Sequence, residues 1–226
     1  MALQWMLGIL LFCSSVECFE KIHVVYTSAI VPPCFETRKH EYIRSIQLLK
    51  SYNYEPYIFE SCHPFAPSFF NDNVQHVFYS NVNDDRLRNK GVNEARSLLA
   101  GIHHYRFDDH DMIVKITGRY QLESDEFLKL IEDHPEVDAF MKCDPHFPAP
   151  LGKVFTGCFA LRCDLFKEML ESLDLQRMEN EMIDFEIEVA QFAQKLSARG
   201  GKVMYVNRLG LSANIGVNCP PAISHW

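Results

Sequence analysis

The sequence lacks several features that mark common classes of protein. It contains no Cys-x-x-Cys pair, which argues against a zinc ribbon or a thioredoxin-type redox site. It has no block rich in Lys and Arg, and its formal net charge is −8. Because such a field repels a phosphate backbone at long range, we do not expect nucleic acid to be a partner. There is no Asn-x-Ser/Thr sequon, internal repeat or low-complexity tract.

An apolar run long enough to cross a membrane is missing as well. Residues 5–16 form an apolar run of about a dozen residues, whereas a membrane-spanning helix needs roughly 20. This length suits the core of a signal peptide, although no Lys or Arg precedes the run. We therefore expect residues 1–18 to be a signal peptide, or alternatively a short membrane anchor, and residues 19–226 to be one domain in the secretory pathway or outside the cell.

Cysteine usage is compatible with that compartment. Six of the eight cysteines follow residue 18, and an even number allows up to three disulfides in an oxidising lumen. The pairing cannot be deduced from spacing. Cys158 lies inside an apolar run, so we interpret it as a small buried residue.

The order of apolar patterns predicts an α/β fold. Strands are predicted at 22–30, 54–59, 74–82, 112–116, 137–141, 154–161 and 203–209. A first helix follows the strand at 22–30 and is predicted to end by Asn53. Further helices are predicted at about 91–105, 124–131, 164–173 and 178–196. Ser124 is the predicted cap of the helix at 124–131, and Gly200 and Gly201 end the last helix. This alternation favours a mainly parallel sheet with helices on both faces. Ligands of such sheets bind beyond the carboxyl ends of the strands, here the loops after Ile30, Val82, Ile116 and Met141.

Two segments of the chain carry groups suited to an anion. Arg88, Asn89 and Lys90 precede a helix whose first free N–H groups favour negative charge. A solvated basic turn is the alternative. Lys115 lies in an apolar strand, where an ammonium group needs an anion or a carboxylate partner. A bound anion and a structural ion pair are both open for this residue.

Together these segments resemble the GT-A nucleotide-sugar transferases. The resemblance rests on Asn-Lys-Gly at 89–91, Lys-Ile-Thr-Gly-Arg-Tyr at 115–120 and Thr-Gly-Cys-Phe-Ala-Leu-Arg at 156–162, and it extends over residues 22–216. It implies a Rossmann-like GT-A domain with a nucleotide-sugar as substrate. The nucleotide side would be held by Arg88, Asn89 and Lys90, and the diphosphate by Lys115, Thr117 and Arg119.

One departure from that family bears on its chemistry. The family carries Asp-x-Asp for a divalent metal at the strand end where this chain has Thr-Gly-Arg-Tyr. Lys115 and Arg119 could supply fixed positive charge instead, so we expect no metal and no other cofactor. Asp109 and Asp111 match Asp-x-Asp but precede the strand, which puts them at the opposite edge of a parallel sheet.

Candidate acid groups come later in the chain. Glu186 falls on the apolar face of the helix predicted at 178–196, and we expect it to be the general base if the reaction inverts configuration. An ion pair with a core cation such as Lys115 is the alternative. Asp144 follows the strand at 137–141 and could contact a sugar hydroxyl of the donor, or only fix a turn.

These observations predict a glycosyltransferase-like protein that moves a sugar from a nucleotide-diphosphate donor to an unknown glycan, lipid or protein acceptor. The alternative is a catalytically inactive secreted domain of the same fold that binds a glycan or a phosphorylated ligand.

Overall fold

The computed structural model of the protein describes residues 18–29, 35–62, 68–143, 152–214 and 223–225. The strands are β1 (Ile22–Ser28), β2 (Tyr57–Glu60), β3 (His76–Tyr79), β4 (Met112–Thr117), β5 (Tyr120–Leu122), β6 (Ala139–Met141), β7 (Cys158–Arg162), β8 (Val203–Tyr205), β9 (Leu211–Asn214) and β10 (Ile223–His225). The helices are α1 (Phe35–Ser51), α2 (Ser68–Asn71), α3 (Lys90–Tyr105), α4 (Glu126–Asp133), α5 (Cys163–Glu171), α6 (Leu175–Glu181) and α7 (Phe185–Ala198).

The central sheet has seven strands in the order β3-β2-β1-β4-β7-β6-β8. Alternate residues of its strands enter two cores, as the period of a β-strand requires. Val24 and Tyr26 face the core beneath α1, α2 and α4, while Val25 faces the core beneath α3, α5, α6 and α7. A second sheet, β10-β9-β5, extends from the carboxyl end of β4. The predicted α/β fold, with a mainly parallel sheet covered on both faces, is confirmed.

One strand of the central sheet runs against the others. β7 is antiparallel to both of its neighbours, β4 and β6, whereas the other neighbouring strands are parallel. The chain turns back before β7, since Cys143 and Val154 form an antiparallel bridge and Phe155 N–H donates to Lys142 O at 2.7 Å. As a result, the amino end of β7 meets the carboxyl ends of β1 and β4 at the same edge.

The single helix predicted at 178–196 is wrong, because two helices cover this stretch. Met182 adopts the left-handed conformation with φ 54° and separates α6 from α7. Asn89 stabilises the break from outside: its Nδ2 donates to the carbonyls of Met178 and Ile183 at 2.8 and 2.7 Å. The end of α7 agrees with the prediction, since Gly200 has φ 93° and Gly201 N–H donates to Leu196 O.

The predicted cap of α4 is also wrong. The residue before α4 is Asp125 rather than Ser124, and its side chain makes no capping hydrogen bond. Its carboxylate lies 2.8 Å from Lys129 Nζ, one turn along the helix. A local ion pair has therefore replaced the expected hydroxyl cap.

Several expectations fall on parts of the chain outside the described ranges, namely the signal peptide up to residue 17, Cys34, Asp144 and Cys219. Where the structure does describe the chain, Cys62, Cys143, Cys158 and Cys163 are free thiols, so these four give no support to the predicted disulfides. Cys158 is fully buried, as predicted, and burial raises its pKa to about 12. In the same ranges no helix combines the length and the apolar character that crossing a bilayer would require.

The left-handed residue between α6 and α7 yields a test. We expect Met182→Gly to stabilise the protein by about 0.5–1 kcal/mol, since glycine removes the steric cost of the left-handed backbone but loses more entropy on folding. Met182 is 44% exposed, so losing its partly buried side chain places the expected gain toward the lower end of this range. Urea unfolding would measure the change. The matched control, Gln191→Gly at an exposed position inside α7, should instead cost about 0.5–1 kcal/mol. A loss of stability in Met182→Gly would contradict this account of the break.

Candidate active site

A cavity of about 410 Å³ opens at the carboxyl edge of the central sheet. Its walls come from the ends of β1, β2 and β4, the loop after β3, α1 and one face of α3. Its lining residues are Thr27, Ser28, Ala29, Arg38, Tyr42, Ser61, Asn83, Lys90, Asn93, Glu94, Ser97, Thr117 and Arg119. The loops predicted after β1, β3 and β4 thus meet in one place, joined by Ser61 after β2. A second cavity of about 360 Å³ lies between α7 and the ends of β6 and β8 and is lined by none of the predicted site residues.

Lys115 lies beneath the 410 Å³ cavity, and its side chain is fully buried. The ammonium group donates to Glu94 Oε1 at 2.6 Å, Thr117 Oγ1 at 2.9 Å and the carbonyl of Thr156. An ammonium group has three protons, so its donors are all used. The ion pair that the sequence left open is therefore present, and the partner is Glu94 rather than Glu186.

Sequence reasoning missed Glu94, although its position carries a signal. In α3, Lys90, Asn93, Glu94 and Ser97 recur at the spacing of one helix face, opposite the apolar stripe. Glu94 Oε1 also lies 3.1 Å from Thr27 Oγ1 and 3.5 Å from Thr117 Oγ1, so three neighbours donate to one oxygen. The carboxylate is tied to the ends of both β1 and β4.

Arg119 brings a cation to the end of β4, as predicted. Its guanidinium lies 5.7 Å from the centre of the Tyr120 ring, and its Nε is buried without a hydrogen-bond partner in the described ranges. The chain reaches this point through Gly118, where a Cβ would lie 1.7 Å from Cε1 of Tyr42. Only glycine lets the backbone pass this ring, and it sets Thr117 and Arg119 at the cavity wall.

The start of α3 already holds a carboxylate. Glu179 of α6 accepts hydrogen bonds from the backbone N–H groups of Arg88 and Asn89, both at 2.9 Å. These bonds lower the pKa of Glu179. Asn89 itself is the N-cap of α3, since its Oδ1 accepts from Gly91 N–H at 3.0 Å. The anion expected at this helix start is thus a side chain of the protein, and Arg88 is exposed beside it.

Lys90 is the one member of the basic segment 86–91 in the cavity lining. Arg86 is exposed and pairs with Asp84 at 2.8 Å. Arg38 of α1, which the sequence did not single out, adds a third cation to the lining beside Lys90 and Arg119. Its Nη1 lies 3.5 Å from Glu41 Oε2.

Glu186 lies in the first turn of α7 and is half-buried. Its Oε1 accepts a hydrogen bond from Thr156 Oγ1 at 2.8 Å, and the carbonyl of Thr156 accepts from Lys115. Burial raises the pKa of the Tyr120 phenol, Arg119 opposes this shift, and Glu94 and Glu186 both add to it. Glu186 therefore belongs to the same electrostatic cluster as Glu94 and Arg119, although it does not line the cavity.

The Asp-x-Asp match at Asp109 and Asp111 lies away from the cavity. Asp111 precedes β4 and accepts from His23 Nε2 at 2.9 Å, while Asp109 lies 2.6 Å from Lys167 Nζ. Lys167 lowers the pKa of Asp109 by hydrogen bonding and by charge. The predicted location at the opposite edge of the sheet is confirmed. Nowhere in the described ranges do three His, Cys, Asp or Glu side chains come together as potential metal ligands.

Strand order, the reversed β7 and the cavity at the carboxyl edge define a GT-A-like α/β domain, as found in glycosyltransferases. Among solved structures, an active-site mutant of LgtC superposes with a TM-score of 0.50 and 7% sequence identity, covering 82% of this chain and 72% of that chain. At this identity the match establishes a shared fold.

Two further matches have lower TM-scores. A glycosyltransferase involved in glycosylation of the major capsid of PBCV-1 has a TM-score of 0.48 and 10% identity, covering 83% of this chain and 81% of that chain. The galactosyltransferase LgtC with donor and acceptor sugar analogs has a TM-score of 0.47 and 8% identity, covering 82% and 73%. No protein-family model matches the sequence, and no curated protein matches it either.

The Lys115–Glu94 pair predicts an asymmetric response to mutation. Glu94→Ala should cost about 3 kcal/mol or more, because it leaves a fully buried ammonium group without its carboxylate. Lys115→Met should cost less, since Glu94 is 24% exposed and water can solvate it. Urea unfolding of both single variants and of the double variant forms a double-mutant cycle. The double variant should regain most of the free energy of unfolding that Glu94→Ala loses. Equal, additive losses would argue against a coupled pair.

The bond from Glu179 to the start of α3 predicts a pH dependence. Because its pKa is lowered in the folded protein, the carboxylate stabilises the fold above the ordinary value of 4.5, and this contribution is lost as the pH falls through the folded value. The stability difference between wild type and Glu179→Gln should therefore be largest near neutral pH and shrink in acid. Urea unfolding at several pH values measures it. Glu181→Gln, an exposed change on the same helix, should show no such trend.

Proposed function

We propose that the protein binds a nucleotide-diphosphate sugar in the 410 Å³ cavity and transfers the sugar to an acceptor. The observation that carries the proposal is the presence of three cations, Arg38, Lys90 and Arg119, in the lining of a cavity at the carboxyl edge of a GT-A-like sheet. A diphosphate carries concentrated negative charge, and Arg and Lys are the side chains that bind it best. Ligands of open α/β sheets bind at this edge.

Arg119 is the residue best suited to the diphosphate. Arg119 lines the cavity, and its Nε has no partner in the described part of the chain, so its guanidinium group has hydrogen-bonding capacity left for an anion in the cavity. Lys90, exposed at the first residue of α3, would add a second contact. Lys115 would act indirectly by holding Glu94 and Thr117, since its three donors are already used. Contacts of Arg88, Asn89 and Asp144 with the nucleotide stay predictions.

We further propose that transfer proceeds without a metal. Divalent cations in such sites take oxygen ligands, carboxylates above all. Among the described residues of the cavity lining there is one carboxylate, Glu94, and it is paired with Lys115 while Arg38, Lys90 and Arg119 share the same walls. These residues fit a metal poorly. Fixed cations can stabilise the leaving diphosphate in its place.

Glu186, although it does not line the cavity, is the proposed general base of an inverting reaction. The acceptor hydroxyl oxygen would form a bond to the anomeric carbon while the bond from that carbon to the phosphate oxygen breaks. The nucleoside diphosphate would leave with the electron pair, and the hydroxyl proton would pass to the Glu186 carboxylate. Thr156, which donates to one carboxylate oxygen of Glu186, would keep the other available.

The acceptor is proposed only as a class, a glycan, lipid or protein. On the apolar run at residues 5–16 we also propose that the protein acts in the secretory pathway or outside the cell.

Calorimetric titration of the folded protein with UDP and with GDP, each with manganese and with EDTA, tests the proposal. We expect binding of one nucleotide in EDTA, and a loss of at least about tenfold in Arg119→Met, the scale of one charged hydrogen bond. Arg86→Met, which removes an exposed cation outside the cavity lining, is the matched control and should bind normally.

Two results would count against the proposal. Absence of binding by either nucleotide at millimolar concentration would remove the donor site, and binding that requires manganese would overturn the metal-free mechanism. Binding followed by no sugar transfer or hydrolysis with a panel of donors would leave a binding domain rather than an enzyme.

A further inference from the structure

Besides the Lys90 ammonium group, the face that α3 turns to the cavity carries two polar groups with unused hydrogen-bonding capacity. Four of its residues line the cavity, Lys90, Asn93, Glu94 and Ser97. The amide of Asn93 is occupied: its Oδ1 accepts from Asp84 N–H at 3.0 Å, and its Nδ2 donates to Asp84 O at 3.1 Å. Glu94 and Ser97, one helical turn apart and on the same face, are left to meet a ligand.

Ser97 is 2% exposed, and its Oγ has no hydrogen-bond partner in the described ranges. A hydroxyl offers one donor and two acceptor positions, and buried hydroxyls in folded proteins are nearly always satisfied. Because Ser97 is a lining residue of the cavity, a ligand that reaches this unsatisfied hydroxyl and both donates and accepts would complete its hydrogen bonding.

Glu94 also has unused hydrogen-bonding capacity, because its two carboxylate oxygens differ in their partners. Its Oε1 accepts from Lys115, Thr27 and Thr117, whereas within the described structure no hydrogen bond reaches Oε2. The side chain is 24% exposed and lines the cavity. An ionised carboxylate only accepts hydrogen bonds, so the ligand group opposite Oε2 must donate one.

The cavity lining carries both negative and positive side chains, and this limits the charge of the ligand group that can lie near Glu94. A phosphate would be repelled by Glu94 and drawn to Arg38, Lys90 and Arg119, whereas a cationic ligand group would be repelled by those three. A neutral group that donates to Glu94 and exchanges hydrogen bonds with Ser97 is a hydroxyl or a pair of neighbouring hydroxyls.

We propose that Glu94 and Ser97 form a hydroxyl-binding subsite that recognises a carbohydrate ring of the ligand, with Lys115 as the positioning residue that holds Glu94. The subsite rests on the proposed nucleotide-sugar function, and the ring is either the ribose or the transferred sugar. Both present the same chemistry, so the experiment must separate them.

The test compares ligands that differ by hydroxyl groups in matched variants. Affinities of UDP, its 2′-deoxy and 2′,3′-dideoxy analogues, UDP-glucose and the corresponding GDP compounds are measured in the wild type, Glu94→Gln and Ser97→Ala. Glu94→Gln can keep an oxygen that faces Lys115, while it removes the negative charge and replaces the free acceptor with a donor. Ser97→Ala removes a hydroxyl that no described residue binds, so it should not lower stability.

We expect removal of the recognised hydroxyl to weaken binding to the wild type by about tenfold and binding to Glu94→Gln or Ser97→Ala by much less. Sensitivity to the deoxy analogues assigns the ribose, and a difference between the nucleotide and its sugar conjugate assigns the transferred sugar. The same hydroxyl dependence in all three proteins, or none in the wild type, would overturn the subsite while leaving nucleotide binding intact.

A failure of the proposed function gives a different pattern. If no nucleotide binds the folded wild type, saturation-transfer NMR with methyl glucoside and methyl riboside tests the subsite alone. Saccharide contact that Ser97→Ala abolishes would support it without the nucleotide, and absence of contact would overturn both proposals. If Glu94→Gln does not fold, Ser97→Ala still decides the outcome.

Discussion

The buried ammonium group of Lys115 is the constraint on which the site depends. It lies in the middle strand of a seven-stranded sheet, paired in register with Val25 of β1 and Phe159 of β7. A charge there is stable only if every proton finds an acceptor and one acceptor is ionised. Glu94, Thr117 and Thr156 meet that demand from α3, from β4 and from the segment before β7. One lysine thus fixes where three separate parts of the chain meet.

Periodicity and turn residues were enough to predict the layers of the fold, because these are local signals that the final packing keeps. Two features of the fold that the sequence did not predict have a common cause. The reversal of β7 is fixed by its antiparallel pairing with β4, a strand well before it in the chain, and the break at Met182 depends on Asn89, about ninety residues earlier, binding carbonyls on either side. Both are long-range contacts, which a local apolar pattern does not encode.

The candidate site likewise has features that the sequence predicted and features that depend on long-range packing. That Lys115 needs a partner follows from its place in an apolar strand, but any of several acids could have met the need. The partner is set by how α3 packs on the sheet, which brings Glu94 within 2.6 Å and leaves Glu186 to Thr156. Likewise the N-terminus of α3 attracts an anion as expected, but packing of α6 supplies Glu179. The residue types predicted that Lys115 and the start of α3 would each need a negatively charged partner, and tertiary packing determines which carboxylate is that partner.

Filling that helix terminus with a side chain changes how the cavity can attract an anion. The free N–H groups of Arg88 and Asn89 are no longer available, so the positive field must come from Arg38, Lys90 and Arg119. The whole chain carries a formal charge of −8, which works against an anionic ligand at a distance. At physiological ionic strength, however, exposed charges are screened beyond about 8 Å. Within that range the lining cations and the carboxylates near them, Glu94 in the lining and Glu41 beside Arg38, determine the potential that a ligand entering the cavity meets, rather than the net charge.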